Sequence, residues 1–144
     1  MKITACCCFA LLGLATLGPA AIAQTAPASA DKAVRIELNA AETVQNRCRL
    51  SFVIENKKDT AFENLKLDLV VFGRDGGIQR RLVTEMAPLR ASKTIVKAFE
   101  IEGECAPVGS ILVNDVTACT PGTPAACLDQ IALESRVANV RLFK

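Results

Sequence analysis

The stretch Phe62–Met86, FENLKLDLVVFGRDGGIQRRLVTEM, decides the fold. Leu65, Leu67, Leu69 and Val71 fall on every second position, with Asn64, Lys66 and Asp68 on the alternate ones. A period of two belongs to a strand with one buried and one wet face. Arg74-Asp75-Gly76-Gly77 then supplies a reversal, because glycine takes positive φ without steric cost. Ile78–Met86 returns as the second arm, and Pro88 ends it. The segment therefore reads as a β-hairpin with arms Phe62–Phe72 and Ile78–Met86.

The same pattern recurs on both sides of this hairpin. Val34–Leu38 is a short candidate strand, and in Arg49–Glu55 the residues Leu50, Phe52 and Ile54 alternate with polar neighbours. Asn56–Thr60 is a polar turn. Ser92–Ile101 and Ser110–Cys119 are the fifth and sixth strands, and a Pro/Gly/Ala loop, Thr120–Ala126, leads to a last one beginning near Leu128. Gln130–Arg141 fits either a strand or a short helix, since Ala, Leu, Glu and Arg favour helix while Val137 and Val140 suit both. Short strands at regular spacing joined by tight turns predict an all-β fold, a single immunoglobulin-like antiparallel β-sandwich of about seven strands.

The beginning of the chain has a different character. Met1-Lys2 is followed by an uncharged run from Ala5 to Ala23 that closes on Ala21-Ile22-Ala23, the small-residue site of signal peptidase. Residues 1–23 read as a cleavable signal peptide with Gln24 as the mature terminus. Pro19, the shortness of the apolar run and the lack of a basic stop argue against a retained anchor. Cys6, Cys7 and Cys8 lie at the front of this segment and leave with it. Residues 24–33 lack apolar periodicity and read as a flexible lead-in to one domain, 34–144. The expected address is periplasmic or secreted, with no stable membrane span after cleavage.

Four cysteines then remain, Cys48, Cys105, Cys119 and Cys127. An even number in an oxidising compartment predicts two disulfides. A structural zinc site is disfavoured because no C-x₂₋₄-C pair occurs, and redox catalysis because there is no C-x-x-C. In the sandwich topology the second and sixth strands run the same way. Cys48 and Cys105, which precede them, meet at one end, and Cys119 and Cys127 meet at the other. Pairing Cys48 with Cys119 would span a ten-residue strand, roughly 30 Å, far beyond disulfide reach.

Composition removes whole classes of function. The chain has no His, Trp or Tyr. No Ser-His or Cys-His nucleophile, histidine general base or imidazole metal ligand is therefore available. Stacking platforms for bases or sugars would have to come from the few Phe residues, which serve better as core. Without Lys2 the chain carries 16 basic residues against 15 acidic ones, interspersed, so no nucleic-acid partner is expected. No catalytic residue, cofactor or metal site is predicted.

The segment Asn64–Lys97, NLKLDLVVFGRDGGIQRRLVTEMAPLRASKTIVK, resembles the central region of FxLYD-type domains and related immunoglobulin-like envelope modules. The mature chain also resembles small exported proteins of proteobacterial envelopes, with CRLSFVIEN at Cys48–Asn56 and GSILVNDVTAC at Gly109–Cys119. That resemblance implies a periplasmic, non-enzymatic module and brings no catalytic residues with it.

Three groups stand out as candidate sites. Arg74, Arg80, Arg81 and Arg90 surround the fourth strand and offer a basic patch for a ligand or partner, or a solvated face that discourages edge pairing. Asn114 and Asp115 interrupt an apolar strand, which suggests a buried polar site or, more simply, a β-bulge. Glu100, Glu102 and Glu104 form an acidic alternation, but carboxylates on one strand face cannot encircle a cation alone. No spacing singles out a carboxylate pair for hydrolysis. The functional expectation is a non-enzymatic periplasmic module that binds another envelope protein through a sheet edge or loops. The competing expectation is a carrier or sensor that holds a small anionic ligand with the arginines.

Overall fold

Eight strands and one short helix build two facing four-stranded sheets, β5-β2-β1-β7 and β4-β3-β6-β8. They are seen in a computed structural model that describes residues 32–144; the expected signal peptide, 1–23, and positions 24–31 of the expected lead-in lie outside the described residues. The strands are β1 Val34–Val44, β2 Arg47–Asn56, β3 Asn64–Gly73, β4 Ile78–Glu85, β5 Thr94–Glu102, β6 Val108–Thr120, β7 Ile131–Ser135 and β8 Arg141–Phe143, with α1 at Pro124–Gln130.

Alternation in the sequence places the core. Leu65, Leu67, Leu69 and Val71 of β3 are buried against Leu50, Phe52 and Ile54 of β2, with Ile36 and Leu38 of β1 and Ile111, Val113 and Val116 of β6 completing the layer. Burying a large aliphatic side chain is worth about 1.5–3 kcal/mol, so this layer is the main stabiliser of the fold. The sandwich, the central hairpin and both disulfides stand as the sequence implies. Cys48 bonds to Cys105 and Cys119 to Cys127.

The differences have local causes. β1 runs six residues past the expected Leu38, because a register shift between Leu38 and Ala40 inserts Asn39 as a bulge and breaks the alternation while pairing with β2 continues. A two-residue turn follows, with Gln45 and Asn46 both at positive φ, the mirror-image geometry that suits strand twist. The Thr120–Ala126 loop contains the start of a helix instead. Thr123 caps it, its hydroxyl accepting from Ala126 N–H at 3.3 Å, and Pro124 occupies the first turn.

The ambiguous C-terminal stretch resolves as two strands on different sheets. β7 pairs parallel with β1, the chain turns through Arg136–Val140, and β8 pairs parallel with β6. One flank of the sandwich is thereby closed by two successive strands, one added to each sheet. On the opposite flank β4 and β5 are the outermost strands, and no further element among the described residues covers them.

Candidate functional site

Ion pairs organise the outer faces of both sheets. On β1, Glu37 is 2 % exposed and accepts from Arg35 at 2.7 Å, Asn39 at 2.9 Å and Arg136 at 2.7 Å. Arg35 also reaches Glu55 at 2.9 Å and Glu134 at 3.2 Å, so the network clamps β2 and the parallel strand β7 onto β1. The amide of Asn39 and the two guanidiniums hold the Glu37 carboxyl below the usual carboxylate range against the opposing effect of burial. On the other sheet Asp68, equally buried, receives both nitrogens of Arg81 at 2.9 and 2.7 Å and the amide of Asn114 at 2.7 Å, and its carboxyl is lowered in the same way. A general acid needs the opposite shift.

These contacts place the candidates named from sequence. Arg74 lies in the β3–β4 turn, Arg80 and Arg81 point to opposite faces of β4, and Arg90 follows β4 at the other end of the molecule. The four do not share a patch. Arg80 is paired with Glu102 at 2.7 Å and Arg81 with Asp68. Asn114 and Asp115 are both exposed and sit at a bulge opposite Asp68 and Leu69. Two members of the acidic alternation are ion-paired, Glu102 with Arg80 and Glu100 with Arg47 at 3.1 Å and Arg49 at 2.9 Å. The buried clamps at Glu37 and Asp68 carried one faint sequence signal, opposite charges two residues apart on a strand at Arg35 and Glu37.

The uncovered flank has a different chemistry. The large apolar side chains left exposed among the described residues are Ile78 and Val83 on β4 and Val96 on β5, at 70, 59 and 67 %. All three lie on the two edge strands of that flank.

Main-chain alternation separates the two edges. Asn56 N–H donates to the Lys93 carbonyl at one end of the β2–β5 pair, and Gly103 N–H to the Asn46 carbonyl at the other. Both ends set the same alternation, in which Ile95, Lys97, Phe99 and Ile101 bond to β2. The N–H and C=O groups of Thr94, Val96, Ala98, Glu100 and Glu102 consequently point away from the sheet. β5 has no bulge and no proline.

On β4, Met86 N–H donating to the Leu65 carbonyl at 2.8 Å fixes the complementary pattern, leaving Arg81, Val83 and Glu85 outward. The Glu85 carbonyl is already taken by the Lys97 ammonium at 3.0 Å, and a register shift between Val71 and Phe72 interrupts the other end. β5 is thus the longer continuous template.

Among the described residues no three His, Cys, Asp or Glu side chains converge as a metal would require, and no helix is long and apolar enough to cross a membrane. No family model matches the chain, so the FxLYD-type resemblance of Asn64–Lys97 gains no support there. No curated protein matches it either. Among solved structures the chain is similar to IrmA from Escherichia coli, at 16 % identity and a TM-score of 0.54, over 71 % of this chain and 91 % of that one. The likeness is one of fold, a small β-rich domain.

Proposed function

We propose that the protein is a non-enzymatic module of the cell envelope that binds another protein by accepting an extended segment along β5. The observation that carries this reading is the run of outward main-chain groups at Thr94, Val96 and Ala98, three residues with uncharged side chains on a bulge-free edge. β-Augmentation draws its affinity from such groups and leaves no side-chain motif to read. Natural sandwiches usually blunt a free edge with bulges, prolines or outward charges, and over Thr94–Ala98 β5 has none of these except Lys97, whose ammonium turns aside to β4. Two disulfides and the signal-like residues 1–23 support an exported address. The absence of histidine and the low-shifted, ion-paired buried carboxylates support a binding role.

The test uses the register itself. Val96→Pro removes an outward N–H that makes no bond to β2, so the fold should survive while docking is lost. A photo-crosslinking residue at position 98, introduced in the exporting cell, should give a heterologous adduct that Val96→Pro abolishes. An adduct indifferent to Val96→Pro, or one with twice the mass of the chain itself, would overturn the reading.

A further inference from the structure

Six arginines, Arg35, Arg47, Arg49, Arg80, Arg81 and Arg136, each meet a carboxylate. Arg74, Arg90 and Arg141 meet none among the described residues. Two of these three, Arg74 and Arg141, line the same cleft of about 470 Å³, which opens between the β3–β4 turn, the start of β6 and the β7–β8 turn. Ser110 and Asn139 add a hydroxyl and an amide to its wall. We propose that this cleft binds a small soluble phosphate monoester, the phosphate held between the two guanidiniums and the organic part lying in the remaining space. The proposal stands independently of docking at β5.

Both cations are held in place without being neutralised. Arg74 donates its main-chain N–H to the Pro107 carbonyl at 2.9 Å and its Nε to the Ala106 carbonyl at 2.8 Å. That loop is tethered by the Cys48–Cys105 bridge. Arg141 lies 4.2 Å over the Phe143 ring, a stacking contact that leaves its N–H edge available. Gly109 forms part of the cleft, and a Cβ there would come within 2.8 Å of the Gly73 carbonyl oxygen and 2.9 Å of Arg74 Cα. The close approach of two backbones is what brings Arg74 beside Ser110.

The one carboxylate in the turn, Asp75, accepts from Gly77 N–H at 3.0 Å and lies close to Gly73. It does not pair with either arginine. Two unneutralised guanidiniums match a dianion in charge, and their planar donor forks match phosphate oxygens in geometry.

The experiment is an amide NMR titration of the mature chain, purified from exporting cells, with inorganic phosphate and with glycerol phosphate at low salt. Saturating shifts confined to Gly76, Ser110, Asn139 and their neighbours are expected, with the ester binding more tightly than inorganic phosphate. Arg141→Gln, which leaves the Ala106–Pro107 contacts untouched, should weaken binding about tenfold or more, as expected for loss of a charge-assisted hydrogen bond. Arg74→Gln should do the same. Arg90→Gln removes the same charge at the other end of the molecule and should leave affinity nearly unchanged. Equal weakening by Arg90→Gln would reduce the effect to net charge and overturn the site, as would shifts that fail to saturate. Sedimentation with phosphatidic acid vesicles that depends on Arg74 and Arg141, without any response to the soluble ester, would place the phosphate on a membrane and overturn the soluble ligand.

Discussion

The two disulfides close loops of very different length, and their removal should separate cleanly. Cys48 and Cys105 are 57 residues apart in sequence, Cys119 and Cys127 only 8. Loop-closure entropy assigns about 4 kcal/mol to the first bridge and about 2.5 kcal/mol to the second, chiefly by restricting the unfolded chain. Cys48 is fully buried in the core, so truncation to Ala adds a small cavity cost of about 1 kcal/mol. The double variant Cys48→Ala/Cys105→Ala should therefore lose about 4–5 kcal/mol, and Cys119→Ala/Cys127→Ala about 2.5–3.5 kcal/mol. Against a total of roughly 5–15 kcal/mol for a domain of this kind, the first loss leaves a marginal fold. Urea unfolding followed by far-ultraviolet circular dichroism gives both values. Extrapolated free energies should be compared rather than midpoints, because an unbridged unfolded chain exposes more surface and raises the slope. Equal losses, or a larger one from the short loop, would refute the unfolded-state account of these bridges.

Glu37 and Asp68 have folded-state carboxyls below the usual range, so each adds stability that is complete above the ordinary carboxylate pKa and is lost as pH falls through the lowered one. Stability should decline below about pH 4.5, and Glu37→Gln combined with Asp68→Asn should flatten that decline in unfolding curves taken down to about pH 2. Asn56, buried at the end of β2, donates to the Thr60 and Arg90 carbonyls at 2.9 and 3.0 Å and accepts from Lys58 N–H at 3.0 Å. Asn56→Ala should cost about 1–3 kcal/mol in thermal unfolding, since it removes a buried amide that ties together two loops. Gly109→Ala should cost about 1–3 kcal/mol by forcing β6 away from the β3–β4 turn, and its amide spectrum should change around Arg74.

Periodicity alone was enough for the sandwich. Leu65 to Val71 and Leu50 to Ile54 alternate so strictly that one face of each strand had to be buried, and once strand directions followed from the turns, the cysteine pairing followed as well. The alternation rule stops at bulges, which is why β1 extends to Val44 beyond the point at which the pattern breaks at Asn39. The C-terminal stretch was equally compatible with helix and strand because neither propensity nor period decided it, and pairing with β1 and β6 did.

The candidate sites show the same division. Four arginines close in sequence were separated by tertiary structure, because adjacent strand residues face opposite ways and β4 carries its two ends apart. Arg74 and Arg141, far apart in sequence, were brought to one cleft by the parallel pairing of β8 with β6. The sequence by itself determined layers, core and disulfides, since these depend on local period and hydrophobic burial. Which edge is open, which charges are neutralised and which remain free were decided only by the tertiary structure, because each depends on long-range strand order and register that no local pattern encodes.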